Sequence, residues 1–348
     1  VSHHFSGPDD PRVIAAVAGR KQSPGNSAEA ARLAGMPKTS YSRALKFYDE
    51  HKTEKAERPI LPVFPDEDIP ATEILGHLGK RFNQRLTRDK ALKWFDIKMK
   101  TDRPVGMAVV GDPHLGSNGC NVPLLQRDVE LMATTPGVHA VNIGDTADNW
   151  SNRMVHLYAE NDVSRQTERK LARWLLQDAG VPWMLWLMGN HDLFDGEFST
   201  YLKTIGASQL PMLDWQAKFQ LRFPNRRVCK VDAAHNHKGT SIYNPLHGQK
   251  RASLWSGGEH ADIFVAGHHH VSAATQEETD DGRIVTLARA RGYKYIDHWG
   301  TTHGFPNNQH GATILFVIDP EADSAVSFVQ PFLDLRAGCE YLTYLRSR

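Results

Sequence analysis

Four stretches of this sequence carry an apolar run that ends in side chains able to hold a metal ion. Val109-Val110-Gly111 leads into Asp112-Pro113-His114, and Val141-Asn142-Ile143-Gly144 leads into Asp145-Thr146-Ala147-Asp148. The run 181–188 leads into Gly189-Asn190-His191-Asp192, and Ile263-Phe264-Val265-Ala266-Gly267 leads into His268-His269-His270. Each run reads as a buried strand. Packing explains a polar cluster at such a strand end poorly, whereas open α/β sheets place their chemistry there. Hard and borderline divalent ions take carboxylate, imidazole and amide oxygen donors, and these stretches supply all three without a thiolate. Asp112 and His114 stand two residues apart, as do His268 and His270, so each pair shares a face of its strand end.

In order, D-x-H, G-D-x-x-D, G-N-H-D and G-H-x-H resemble the pattern of the calcineurin-like metallophosphoesterase superfamily, over roughly residues 104–335. The resemblance implies a four-layer αββα sandwich with two mixed β-sheets. It also implies two divalent ions per chain, with Mn²⁺ favoured and Zn²⁺, Fe or Ni²⁺ accepted by the same ligands. Asp112 and His114 would hold one ion with His270. Asp145 would bridge both, and Asn190 and His268 would serve the second. One more histidine is required, and two candidates stay open. His235 ends the run 228–234, while His247 has the His-Gly form also seen at this position; His237 is a weaker third. Two such ions, about 3.5–4 Å apart, hold a bridging hydroxide between them and polarise a phosphoryl group. His191 is not at a ligand position. It would be oriented by Asp148 or Asp192 and would stabilise or protonate the leaving oxygen. Where the family often has Arg after G-D-x-x-D, this chain has Asn149-Trp150.

Ahead of this region, residues 10–51 read as a small all-α helix-turn-helix domain. Pro11 opens a first helix, and Ser27 is a cap for a second that ends before Gly35-Met36-Pro37. Thr39 or Ser40 is a cap for a third helix, from Tyr41 to His51. Lys38, Ser40, Tyr41, Arg43 and Lys46 near its start suit a recognition helix on DNA; a three-helix interaction module is the alternative. Residues 52–103 are expected as a Pro-rich linker and a basic helix from Ile74 to Met99 that packs on the catalytic domain, which takes up residues 104–348. Residues 80–103 contain nine Lys/Arg and three Asp/Glu by direct count. Further on, Arg289, Arg291 and Lys294 interleave with Tyr293 and Tyr295, a pattern that suits phosphates and bases or an ordinary hairpin with outward cations.

The whole chain has 348 residues, a net charge of +1 and 40% hydrophobic residues, so the positive charge is local rather than global. No apolar run reaches the roughly 18 residues of a membrane span, and the first residues lack the pattern of a signal peptide. The three cysteines lie far apart, which fits a reducing cytoplasm, that of a bacterial or phage-infected cell. The arrangement also resembles phage and prophage proteins. The expectation is therefore a metal-dependent phosphodiesterase or nuclease acting on nucleic acid, DNA favoured, with no membrane partner; a homodimer suits a helix-turn-helix reading two half-sites. A phosphomonoesterase or small cyclic-nucleotide phosphodiesterase, and a non-catalytic DNA-binding adaptor, are the rivals.

Overall fold

The computed structural model describes residues 4–51, 69–206, 210–241, 243–255, 260–295 and 309–348, the side chains of Leu92 and Glu160 excepted. Residues 52–68 of the expected linker lie outside the described residues, as do His298 and His303. The chain divides into two compact units, Val1–Leu75 and Gly76–Arg348.

The first unit holds three helices, α1 (Pro11–Gln22), α2 (Ser27–Leu33) and α3 (Lys38–His51). Asp10 caps α1, its carboxylate accepting from the Arg12 amide at 3.0 Å. Asn26, not Ser27, caps α2, accepting from the Glu29 amide. α3 begins at Lys38, three residues before the expected start. Gly35 takes a φ of +66° between α2 and α3, which a Cβ would resist. Val13, Ala16, Ala30, Ala31, Tyr41 and Ala44 form the core. Tyr41 is therefore not a nucleic-acid contact: it is 3% exposed and fills the space between the helices. Lys38, Arg43 and Lys46 are exposed and Ser40 half-buried.

The second unit is mixed α/β, and its first helix begins five residues before the boundary, at Ala71. Its elements are α4 (Ala71–Leu92), β1 (Phe95–Lys98), β2 (Val105–Val110), α5 (Val122–Thr134), β3 (Val138–Asn142), α6 (Arg165–Arg173), β4 (Trp183–Met188), α7 (Asn190–Leu193), α8 (Gly196–Gly206), β5 (Met212–Asp214), β6 (Gln216–Arg222), β7 (Val228–Ala234), α9 (His247–Trp255), β8 (Ile263–Ala266), β9 (Ala273–Glu278), β10 (Ile284–Arg289), β11 (Thr313–Ile318), α10 (Ala325–Phe328), β12 (Val329–Phe332) and α11 (Leu335–Ser347). One sheet has the order β1-β6-β7-β8-β10-β9 and the other β12-β11-β2-β3-β4-β5. Both are mixed. β2, β3, β4 and β5 run parallel, with β11 antiparallel to β2; β7, β8 and β10 run parallel, with β6 and β9 antiparallel.

The sheets pack face to face. Met107, Val109, Val141 and Leu187 from one and Phe219, Val231, Ile263 and Val265 from the other share a single apolar cluster. The outer face of the β2–β4 sheet is covered by Leu125, Val129 and Met132 of α5 and Leu335, Cys339 and Leu342 of α11. On the other outer face α9 brings Ala252 to a small cluster around Phe264, Val285 and Leu287. The layers thus run helix, sheet, sheet, helix, with one thin outer layer. β2 and β11 are buried along their whole length, as strands covered on both faces must be.

The expected elements differ from the observed ones at several places. The run 219–234 is two strands joined by a turn at Phe223–Arg227. The basic helix ends at Leu92, and Phe95–Lys98 is a strand that pairs with β6, so the sandwich begins before residue 104. On α4, Leu75, Leu78, Phe82 and Leu86 are exposed rather than packed. β5 and β9 have no clear sequence signal, being short or half-exposed edge strands.

Candidate metal centre

Parallel pairing brings the C-terminal ends of β2, β3 and β4 to one edge, and that of β7 and β8 to one edge of the facing sheet. Asp112 and His114 follow β2, Asp145 and Asp148 follow β3, and Asn190 and His191 follow β4. His235 follows β7, and His268 and His270 follow β8. Five separate strand ends therefore contribute to one cluster. The backbone is bent sharply to do this. His114, Asp145, Asn149, His268 and His270 all have φ between +41° and +70°, a region L-residues seldom adopt and that concentrates at functional sites.

Two groups of donors result, each within 4.8 Å: His114, Asp145 and His191, and Asp145, His235 and His268. Asp145 is common to both. His235 Nε2 lies 2.9 Å from Asn190 Oδ1, 2.9 Å from His268 Nδ1 and 3.3 Å from Asp145 Oδ2. Its Nδ1 donates to the Ile143 carbonyl at 2.9 Å, which turns Nε2 toward the cluster. His114 Nε2 lies 3.1 Å from His270 Nε2 and 3.8 Å from Asp145 Oδ2. Asp112 accepts from the His268 amide through Oδ2, and its buried Oδ1 has no hydrogen-bond partner among the described residues. Imidazole nitrogens facing each other at 3.1 Å and an orphaned buried carboxylate oxygen are what a cation would satisfy, so the donor set fits bound divalent metal.

Electrostatics point the same way. Burial pushes Asp112 upward, and the nearby Asp145 adds to it. Burial also opposes ionisation of Asp145, but His235 and His191 outweigh it and hold that carboxyl well below the usual range. Burial lowers His114 to about 4 against the pull of Asp148, and lowers His268 to about 3, so both rings are neutral and able to donate a lone pair. His235 goes the other way: burial opposes its charge, yet Asp145 and Asp112 raise it to about 9.

Several expected residues sit elsewhere. His247 begins α9 and is in neither donor group; His235 occupies the place for which the two competed. His237 is paired with Asp232 at 3.2 Å. The Asp148 carboxylate does not orient His191. It accepts from His114 Nδ1 at 2.5 Å and from Lys294 Nζ at 3.2 Å, while the Asp148 carbonyl receives His191 Nδ1 at 2.6 Å. Asp192 is also not a partner of His191; it accepts from the Thr146 and Gly189 amides and ties the ends of β3 and β4 together.

Arg289, Arg291 and Lys294 are not outward cations. Arg289 is 1% exposed and donates to the Pro245 carbonyl at 2.8 Å and to the Gly267 carbonyl, propping the turn that carries His268. Arg291 is buried, donates to the Lys294 carbonyl and lies over the Tyr295 ring at 3.7 Å. Lys294 neutralises Asp148. Spacing gave no sign of these pairings, nor of Trp215, whose ring lies 5.2 Å from that of His235.

No family model and no curated protein matches this chain. Among solved structures, Vps29 of Chaetomium thermophilum is similar at 9% identity and a TM-score of 0.30, over 66% of this chain and 91% of that one. GAP50, the anchor in the inner membrane complex of Plasmodium, is similar at 7% identity and a TM-score of 0.31, over 70% of this chain and 95% of the other.

Proposed function

We propose that the chain is a dinuclear-metal-dependent phosphoesterase of the calcineurin-like type, acting as a phosphodiesterase or nuclease on nucleic acid. The observation that carries this reading is the pair of donor groups sharing Asp145 across the edges of two sheets. Asp112, His114 and His270 would hold one ion, and Asn190, His235 and His268 the other. Bound ions would supply Lewis acidity toward water and the phosphoryl oxygens. The chain's own part is positional. Asp148 fixes the ring of His114 and is itself balanced by Lys294. His191, with Nδ1 donating to a carbonyl, presents Nε2 to the cluster. His191 would give an Nε2 proton to the leaving oxygen as that P–O bond breaks, the water oxygen would form the new P–O bond, and the proton lost by the water would return to the ring through solvent. A second reading, His191 as a ligand beside His114, is favoured by its Nε2 lying 4.0 Å from Asp145. The ion content of His191→Ala separates the two: two ions per chain for the acid, fewer for the ligand.

Support for nucleic acid as substrate comes from Lys38, Arg43 and Lys46, exposed on α3 in a helix-turn-helix reading of the first unit. An open groove of ≈ 580 Å³ adds Arg85 and Arg88 of α4, although Asp89 and Asp214 also line it and Lys203 there is paired with Asp214 at 2.9 Å. The test is cleavage of end-labelled single- and double-stranded DNA in Mn²⁺, with Asp112→Ala and His191→Ala as controls. Digestion that both controls abolish supports a nuclease. Turnover of p-nitrophenyl phosphate alone would move the substrate to a monoester. No turnover of any ester, with DNA binding by Asp145→Asn equal to that of the unaltered chain, would leave a DNA-binding adaptor.

A further inference from the structure

Trp215 is the single residue between β5, the edge of one sheet, and β6 of the other. It is 39% exposed and has a φ of +66°. A bulky side chain in the left-handed region is strained, and the strain does not serve to bury the indole. The backbone is pinned on both sides. The Trp215 amide donates to the Met188 carbonyl at 3.0 Å, and its carbonyl accepts from the His235 amide at 2.7 Å. It is thus fixed between the strand that leads to Asn190 and the one that leads to His235. Its ring lies 5.2 Å from His235 and 6.3 Å from His268, the two histidines of one donor group.

The other donor group has its own aromatic wall. Trp150 lies 4.6 Å from His191, and Phe194 lies 4.5 Å from His191 and 6.2 Å from Trp150 at an interplanar angle of 23°. Asp145 belongs to both groups, the one beside Trp215 and the one beside Trp150 and Phe194. A phosphoryl group held by both donor groups would have an aromatic residue beside each of them. A monoester has one arm and uses one of them. A diester has two arms and uses both.

We propose that Trp215 is a substrate-recognition residue that stacks on the nucleoside retained by the phosphate, while Trp150 and Phe194 flank the leaving arm beside His191. The inference rests on the phosphodiesterase reading above. Aromatic stacking on a base is tolerant of sequence because every base has a π-face, so this wall selects nucleosides without selecting among them.

The test compares two diesters that share a leaving group, thymidine 5′-p-nitrophenyl phosphate and methyl p-nitrophenyl phosphate, using the full chain in Mn²⁺. The ratio of kcat/KM for the thymidine ester to that for the methyl ester is expected to fall about tenfold in Trp215→Ala, chiefly through KM, and to be retained in Trp215→Phe. Ion content of two per chain in the variants checks that the centre is intact. If Trp215→Ala is poorly folded, Trp215→Leu gives the same comparison with bulk but no stacking face. An unchanged ratio, with both esters losing equally, would make Trp215 a mere prop for His235 and overturn the inference alone. Hydrolysis of neither ester by the unaltered chain would overturn the phosphodiesterase reading and this inference with it.

Discussion

At the scale of single residues, charge pairing decides which side chains face the site. The sequence favours His235 over His247 only slightly, yet only His235 reaches Asn190, His268 and Asp145. His235→Ala is expected to lower the Mn²⁺ content after dialysis from two ions to one, and His247→Ala to leave it at two; elemental analysis reads both. Arg289, Arg291 and Lys294 show what cations beside aromatics do with buried acceptors in reach: the two arginines satisfy backbone carbonyls and Lys294 pairs with Asp148, instead of facing a ligand. Glu168 gives a pH-dependent effect. Burial raises its carboxyl from 4.5 to about 7, the charge of Asp148 adding to the rise and the Tyr158 hydroxyl, which donates to it, opposing. Between those two values the native chain keeps a proton that the unfolded chain has lost. Its contribution is therefore full below pH 4.5 and is lost as pH climbs through 7. Thermal unfolding should show Glu168→Gln more stable than the unaltered chain at pH 8, with that advantage shrinking toward pH 5.

At the scale of elements, the site depends on how closely neighbouring strand ends approach. Gly144, at φ +113°, and Gly189 meet where β3 and β4 end, and a Cβ at Gly189 would stand 2.1 Å from Asp145 Oδ1. Gly189→Ala should displace Asp145, the shared donor, and cost about 1–3 kcal/mol of stability; chemical denaturation and Mn²⁺ titration together measure it. The expected strands of the central sheet positions were visible because strands buried on both faces are continuous apolar runs. β1, β5 and β9 were not, since four residues or fewer, or half-exposed polar ones, carry no period that distinguishes strand from helix end or loop. The same reason hid the true length of the basic helix, whose pattern runs on into Trp94 and Phe95 without a breaker.

At the scale of the molecule, the candidate centre lies where two sheets meet, with Asp112, His114, Asp145 and Asn190 from one and His235, His268 and His270 from the other. A bound ion would link them and, binding only the folded chain, would add about 2.7 kcal/mol at a hundredfold excess over its Kd. Mn²⁺ should therefore raise the melting temperature by about 5 °C, and a chelator should reverse the rise. Calorimetry with Mn²⁺ and with EDTA checks this. No helix among the described residues is long and apolar enough to cross a membrane.

The sequence by itself determined the donor types and the strands that bear them. Donor types are set by residue identity, and a short motif at the end of an apolar run stays at that strand end in any sheet. It also set the short helices of the first unit, through caps and a turn glycine that act within a few residues. Only the tertiary structure decided which histidine completes the cluster, that Asp148 serves His114 rather than His191, that Tyr41 and the three later cations are buried, and that Trp215 lies against His235. Each of these depends on partners far away along the chain, and sheet pairing brings such partners together in ways that local spacing does not encode.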